Sequence, residues 1–248
     1  GIIDAMADLA GSAYFAFYVG ADIMDSKTNI FQLYQGGIGL GEKEYYLEDD
    51  EATKNIREGY KAHIVKMFQL IGQDEKQATK SMEAVMEIET RLAKKSFNAV
   101  EQRNPAANYH MLTLDELKKQ IPGFDWDAYI NAVGVKGVTS LNVSQIEPVQ
   151  EAVAIINELP MDKQKAYLQW KLIDSAASYL SDAFVAQNFE FYGKVMSGKK
   201  EDQPRWKKAV GTVNGVLGEA VGQMYVEKYF PAAAKERMVQ LVKNLQTA

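Results

Sequence analysis

The feature that most constrains the fold is a helical repeat of apolar residues after residue 50. Apolar side chains recur there at helical spacing, at Ile56, Tyr60, Ile64, Met67, Phe68 and Ile71. This pattern predicts an amphipathic helix that begins near residues 47–50 and ends at Gly72. A second apolar stripe over residues 75–97 follows the turn at residues 72–74. We therefore predict an antiparallel pair of helices.

Residues 14–35 contain the one clear β-strand signal. Residues 14–19 are mostly aromatic or β-branched, residues 25–29 are typical of a turn, and residues 30–34 resume the apolar run. This order predicts a β-hairpin near the start of the chain. The pattern after residue 50 is helical.

Residues 98–144 are more irregular than the segments on either side. Pro105 and the Pro-Gly pair at residues 122–123 interrupt the helical pattern there. Short helices are predicted over residues 114–120 and 126–133. We interpret this segment as a connector.

The chain from Ser144 onward is predicted to be helical. Pro160, Pro204 and Pro231 each stand where a new helix would start, because proline in a first helical turn loses no backbone hydrogen bond. Four or five helices are expected in this region. The fold class is therefore mainly α, a multi-helix lobe with a small N-terminal β-hairpin. Its segments are residues 1–48 with the end of an N-terminal helix and the hairpin, 49–143 with the helical pair and connector, and 144–248 with the C-terminal helices.

One predicted helix carries a stripe of glycines. Gly211, Gly215, Gly218 and Gly222 lie on one side, beside an apolar face that includes Trp206. An interior glycine destabilises a helix by about 0.5 to 1 kcal/mol relative to alanine, so close approach of another backbone is expected to offset it. Two interpretations stay open, namely tight helix packing inside this chain or an approach surface for a further domain.

Composition excludes several classes of function. The net charge is -5, and the basic cluster at residues 205–208 is not followed by a second one, so nucleic acid is not an expected partner. There is no cysteine, which rules out disulfides and cysteine-based metal sites. No membrane span is expected, because Asp4, Asp8 and Asp22 interrupt the most apolar region. The chain begins at Gly1 and its last helix has no capping glycine before Ala248, so we expect a piece of a longer protein.

The residues that could carry chemistry do not form a known motif. His63 lies on the apolar stripe and is interpreted as a core residue, while His110 is expected to be exposed in the connector; neither belongs to an HExxH zinc motif. The glycines of residues 36–41 are followed by acidic residues, which would repel a phosphate, and no βαβ unit succeeds them. We expect no catalytic residue and no metal ligand. Several carboxylates are interpreted as solvated faces, at Glu83, Glu87, Glu89, Asp125 and Asp127.

The chain resembles the neprilysin family of zinc metallopeptidases, which includes endothelin-converting enzymes and bacterial PepO. The resemblance begins in residues 25–30, with sequence DSKTNI, and continues in residues 35–40, QGGIGL, and in Tyr45-Tyr46-Leu47. It covers essentially the whole chain. Further matches occur at Ile88-Glu89, Leu92-Ala93, Arg103-Asn104-Pro105, Asn108-Tyr109, Tyr167-Leu168, Trp170, Arg205-Trp206, Ala220-Val221-Gly222, Tyr225-Val226 and Phe230.

The resemblance implies the function of the whole protein. Family members have two largely helical lobes, of which one carries an HExxH zinc site and the other closes over an internal cavity that admits short peptides. This chain resembles the second lobe, so zinc is expected in a catalytic lobe beyond Ala248 and not in this segment, which should be inactive alone. The expected partners are that lobe and short peptide substrates. Arg103 and Tyr109 are candidates to face the cavity, where a cation and a phenol could hold peptide carbonyl or carboxylate groups; bonds inside the connector are the favoured alternative role for both.

Two departures from the family pattern bear on the source of the protein. Ala209 follows the Arg-Trp pair where many animal members have cysteine, and Gly41 replaces a frequent proline. Both favour a bacterial, disulfide-free branch and leave the localisation open between cell envelope and cytoplasm. A free-standing, non-catalytic helical module that binds peptides or proteins is the alternative function.

Overall fold

The computed structural model describes residues 1–9, 11 and 13–247, and it divides into two compact units, Gly1–Lys199 and Lys200–Ala248. Ala248, up to which the last helix is predicted to run, lies outside the described residues. The described part is mainly α-helical with one small sheet. The predicted fold class is therefore confirmed.

The first unit begins with a short helix and the predicted hairpin. Helix α1 spans Ile2–Asp8, and strands β1, Phe15–Ala21, and β2, Asn29–Gln35, pair antiparallel. The turn between the strands is closed by Asp25, whose carboxylate accepts a hydrogen bond from the Thr28 hydroxyl at 2.6 Å. The hairpin predicted from residues 14–35 is confirmed.

Two short strands from the connector complete the sheet. Strand β3 spans Met111–Thr113 and β4 spans Ser140–Val143. The strand order is β1-β2-β4-β3, and β2 and β4 run parallel. The prediction that only helices follow residue 50 is therefore wrong here. Strands of three and four residues are too short to show an alternating pattern, and pairing with distant residues stabilises them.

The predicted helical pair is confirmed. After the short helix α2, Glu44–Leu47, the pair consists of α3, Glu51–Leu70, and α4, Glu75–Lys95, which ends two residues before the predicted end. Asp50 and Asp74 cap the two N-termini by accepting backbone hydrogen bonds at 3.0 and 2.8 Å. Gly72 turns the chain between the helices with a φ of +96°.

The remaining helices start close to their predicted positions. Pro160 and Pro204 precede the first residues of α8 and α10, and Ala232 follows Pro231 at the start of α11. A π-helical segment, Phe189–Val195, continues α9. The bounds are α5, Leu114–Gln120; α6, Trp126–Ala132; α7, Ile146–Glu158; α8, Met161–Ala176; α9, Asp182–Asn188; α10, Arg205–Tyr229; and α11, Ala232–Thr247.

The described residues of the first unit form two hydrophobic cores. In one, the inner face of the sheet packs on α6 and α7, and Phe15 lies between the rings of Trp126 and Tyr129 at centroid distances of 5.6 and 5.3 Å. In the other, α3, α4 and α8 pack together, and the fully buried Trp170 of α8 contacts Tyr60 and Phe68 of α3. The loop at residues 36–41 leads from the sheet to the second core.

The second unit consists of α10 and α11. A methyl group at Gly211, Gly215, Gly218 or Gly222 would meet no other atom of the described residues within 4 Å. Within the described residues of the second unit the stripe therefore does not pack tightly against another helix. The apolar face that includes Trp206 is largely exposed as well. Within α10 the backbone leaves helical geometry at Leu217, with φ of -119° and ψ of 21°.

Among the described residues, none of the helices combines the length and the apolar character needed to cross a bilayer.

Candidate substrate-facing surface

The connector lies across the outer face of the sheet and is held there by side-chain amides. Gln32 and Asn142 are paired on β2 and β4, and both are buried. Asn142 Nδ2 donates to Gln32 Oε1 at 2.9 Å and to the Asn108 carbonyl at 3.3 Å, while Asn142 Oδ1 accepts from the His110 backbone N–H at 2.7 Å. Hydrogen bonds from the outer face of the sheet, and not apolar contacts, thus hold the connector in place.

The start of the connector is fixed to the end of β2. The Gln35 side chain accepts from the Phe97 backbone N–H at 2.7 Å and donates to the Phe97 carbonyl at 3.0 Å. The Gln35 backbone N–H donates to Gln145 Oε1 at 2.9 Å, and Gln145 Nε2 donates to Asn108 Oδ1. Residues 97 and 108–110 are therefore both tied to the sheet, and the segment between them is presented on its outer side.

The two predicted cavity residues lie on this connector, in different settings. Tyr109 is half-buried and donates to Asp22 Oδ2 at 3.1 Å, which ties the connector to the hairpin. Burial and the hydrogen bond with the Asp22 carboxylate raise the pKa of Tyr109. Arg103 ends the 3-10 turn Glu101–Arg103 and is exposed, and its side chain makes no ion pair or hydrogen bond within the described part of the chain. The structure shows no contact that brings the two side chains together.

His110 departs from its expected exposure. Its ring Nδ1 lies 2.9 Å from the Val143 carbonyl, and the residue is half-buried. A carbonyl can only accept, so the proton is assigned to Nδ1. His110 therefore anchors the connector to β4, in addition to its backbone bond with Asn142.

The acidic residues of α4 do not form one solvated face. Glu83 is exposed as expected, but Glu89 is fully buried. Its carboxylate accepts from Tyr46 Oη at 2.6 Å and Tyr60 Oη at 3.0 Å and lies 3.9 Å from Lys171 Nζ. Burial raises the pKa of Glu89, while Lys171 and the two phenols oppose that shift. The prediction was wrong for Glu89, although its place on the apolar stripe of α4 was a signal that could have found it.

The other carboxylates named from the sequence are at the surface or half-buried. Asp125 caps α6 by accepting from the Ala128 backbone N–H at 2.9 Å. Asp127 pairs with Lys118 at 2.6 Å, and Glu87 is half-buried and pairs with Lys163 at 2.5 Å. These contacts stabilise helix ends and helix pairs.

The glycine-rich loop at residues 36–41 is closed by tyrosine hydroxyls. Tyr167 Oη donates to the Gly37 carbonyl at 2.7 Å and accepts from the Tyr14 backbone N–H at 3.0 Å. The Leu40 backbone N–H donates to Tyr46 Oη at 3.0 Å. The Leu40 N–H, the kind of donor that would bind a phosphate in a nucleotide-binding loop, is thus already bonded to a tyrosine of the second core.

His63 is a core residue, as predicted. It is 1% exposed, and its ring lies 5.1 to 5.5 Å from the ring centroids of Trp170, Phe191 and Tyr192. Gln187 Nε2 lies 3.2 Å from its Nδ1. Burial lowers the pKa of His63 to about 4.

The buried imidazole predicts a loss of stability in acid that depends on His63. The unfolded chain binds a proton near pH 6.5 and the folded chain near pH 4, so stability is full above pH 6.5 and falls as the pH drops through that window. Relative to His63→Phe, the native chain should lose about 3 kcal/mol between these limits. Urea unfolding of both proteins at several pH values measures the difference. Glu89 is present in both proteins, so its own contribution to the pH dependence of stability cancels in the comparison. Parallel stability curves would show that His63 does not titrate in this way.

In the described ranges 1–9, 11 and 13–247, no group of three or more His, Asp or Glu side chains is placed to hold a metal ion.

Comparisons with known proteins identify the family. The model of peptidase family M13 matches residues 2–248. Endothelin-converting enzyme 1 of Rattus norvegicus is 27% identical over 246 residues, which are 96% of this chain and 32% of that protein. Zmp1 of Mycobacterium tuberculosis, a zinc metalloprotease solved with an inhibitor, superimposes with a TM-score of 0.90 at 31% identity, over 99% of this chain and 37% of its own.

A further solved structure shows the same fold at lower identity. PepO from Lactobacillus rhamnosis superimposes with a TM-score of 0.78 at 20% identity, over 98% of this chain and 39% of its own. The chain spans about a third of the length of the curated relatives it matches. From the match over residues 2–248, the chain belongs to peptidase family M13, the family of neprilysin, endothelin-converting enzymes and PepO.

Proposed function

We propose that residues 1–248 belong to the non-catalytic lobe of a zinc metalloendopeptidase that hydrolyses short peptides. In this proposal the lobe closes over the active-site cavity and limits the size of the substrates that enter. The observation that carries it is the family match over residues 2–248, together with relatives about three times as long that include a zinc metalloprotease. The partners are a catalytic lobe of the same protein and short peptides, and residues 144–248 lead toward that lobe.

The zinc of the proposed enzyme is assigned to the catalytic lobe. Bound zinc activates a water molecule for attack on a peptide carbonyl. The described residues offer no ligand set that fits zinc, so we derive no step of bond cleavage from them. Their proposed contribution is to bind and orient peptides.

The connector supports this binding role. It presents a cation, Arg103, that has no acidic partner among the described residues, on a backbone fixed to the sheet by buried amides. A guanidinium binds a carboxylate or a carbonyl through charge-assisted hydrogen bonds. We propose that Arg103 and the Tyr109 hydroxyl face the cavity between the lobes and bind such groups of the peptide, for which the Tyr109 hydroxyl would exchange its bond with Asp22 for one to the peptide.

Replacement of Arg103 separates a binding role from a structural one. Because the side chain is exposed and unpaired within the described residues, Arg103→Ala should change the free energy of unfolding by less than about 0.5 kcal/mol. In the full-length protein it should raise KM for short peptides about tenfold, the value expected for one charge-assisted bond. Lys136→Ala, at another exposed cation, is the control and should leave KM unchanged. An unchanged KM in Arg103→Ala would remove Arg103 from the site.

Zinc content and peptide hydrolysis test the proposal as a whole. The full-length protein should bind one zinc ion per chain and cleave peptides of increasing length up to a limit, while leaving a folded protein intact. Residues 1–248 alone should bind no zinc stoichiometrically and show no hydrolysis. One tightly bound zinc on this segment would overturn the proposal, and a gene that encodes no HExxH motif downstream would favour a non-catalytic binding module.

A further inference from the structure

Asn108 joins the two turns of the connector. Its side-chain Nδ2 donates to the carbonyls of Glu101 and Asn104 at 2.8 and 2.7 Å. These carbonyls flank Arg103, at the beginning of its 3-10 turn and just after it. The backbone on both sides of Arg103 is therefore fixed by one amide group.

The same residue is anchored to the body of the first unit. Asn108 Oδ1 accepts from Gln145 Nε2, and the Asn108 carbonyl accepts from Asn142 Nδ2 at 3.3 Å. Gln145 and Asn142 are each only 4% exposed. Asn108 thus connects a rigid, buried support with an exposed turn.

The acidic groups nearest along the connector are already bonded. The Glu101 carboxylate accepts from the Asn98 backbone N–H at 2.7 Å, and the Asp22 carboxylate accepts from Tyr109 Oη. The Arg103 guanidinium has no such partner within the described residues. A fixed backbone that carries an unpaired cation is suited to receive an acceptor group from a ligand, because less conformational entropy is lost on binding.

We infer that Asn108 is a positioning residue that holds Arg103 in place to bind an acceptor group of the peptide substrate. This inference rests on the proposed function of the connector. The group bound is a carboxylate or a carbonyl oxygen, and a peptide can supply it from its C-terminus or from its backbone. Asn108 acts through Arg103 and does not itself touch the peptide.

A double-mutant cycle in the full-length protein tests the inference. Arg103→Ala, Asn108→Ala and the double variant are compared by KM and kcat for short peptides, each with a free or an amidated C-terminus. Both single variants should raise KM about tenfold with kcat unchanged, and the double variant should be no worse than either. If Asn108→Ala folds poorly, Asn108→Asp takes its place. The aspartate side chain has the same size but cannot donate the two bonds, so KM should rise by the same amount. A smaller effect with amidated peptides identifies the C-terminal carboxylate as the bound group, and an equal effect identifies a backbone carbonyl.

Asn157 provides a matched structural control. Its Nδ2 donates to the carbonyls of Gly123 and Val153 at 3.0 and 2.8 Å, so Asn157→Ala removes the same kind of clamp elsewhere in the first unit. It should lower the melting temperature about as much as Asn108→Ala and leave KM unchanged. Suppose that Arg103→Ala raises KM. If Asn108→Ala then leaves KM unchanged, or if the effects of the two substitutions add fully in the double variant, the inference fails and the proposed function stands. If Arg103→Ala has no effect, the proposed binding site fails together with the inference.

Discussion

Replacing Gly37 by alanine should destabilise the first unit by about 2 to 5 kcal/mol, far more than the same change at Gly41. Both glycines have a φ of +83°, which alanine adopts only with strain. At Gly37 the added methyl group would also lie 2.6 Å from Tyr167 Oη and 2.8 Å from the Tyr14 backbone nitrogen. The clash would break the bonds that Tyr167 makes to the Tyr14 backbone and to the loop.

Gly41→Ala isolates the cost of backbone strain. The methyl group would meet no described atom within 4 Å there, so only about 1 to 2 kcal/mol should be lost. Urea unfolding monitored by tryptophan fluorescence gives both values from the midpoint, provided that the slope with denaturant is unchanged. Equal losses at the two positions would contradict the close packing of the loop against Tyr167 and Tyr14.

Removing the buried carboxylate of Glu89 should cost about 3 to 5 kcal/mol. Glu89→Ala removes the carboxylate paired with the buried Lys171 and leaves the hydroxyls of Tyr46 and Tyr60 without their acceptor. An unpaired buried charge is more destabilising than the pair itself is stabilising. Glu83→Ala, at an exposed position of the same helix, should change stability by less than about 0.5 kcal/mol.

The pH dependence of the Glu89 effect has a defined sign. The pKa of Glu89 is raised in the folded chain, so the folded chain binds this proton more tightly than the unfolded one. The stability that Glu89 contributes through this tighter proton binding is present at low pH and is lost as the pH rises through the folded-state pKa. In Glu89→Gln this loss should be absent, and unfolding free energies measured across the acidic range reveal the difference. A cost below about 1 kcal/mol for Glu89→Ala at neutral pH would contradict the buried ion pair.

Local signals in the sequence predicted much of the fold. The helix over residues 114–120 has the predicted bounds, and Gly72 and Pro160 mark helix ends as expected. These features depend on residues within a few positions of one another, such as the box in which Thr113 and Glu116 cap each other. Boundaries set by local capping and turn residues are therefore readable from one sequence.

Features that depend on distant residues were not predictable in the same way. Strand β4 exists because its residues pair with β2 and β3, and Glu89 is buried because α2, α3 and α8 converge on it. For the candidate site, sequence placed Arg103 and Tyr109 on one connector but gave no sign of the amides that hold it. Those amides come from β2, β4 and the start of α7, and only the fold brings them together.

The parallel pairing of β2 with β4 also sets an order for folding. Gln32 and Asn142 are 110 residues apart in the chain, whereas α3 and α4 meet across a short turn. Contacts of such long range form slowly, so the helical pair should form before the centre of the sheet. At about 5 to 20 residues per second, β2 leaves the ribosome on the order of 5 to 20 seconds before its parallel partner. During that interval one edge of β2 is open to pairing with other chains, and a nascent chain stalled before residue 140 should be prone to aggregation.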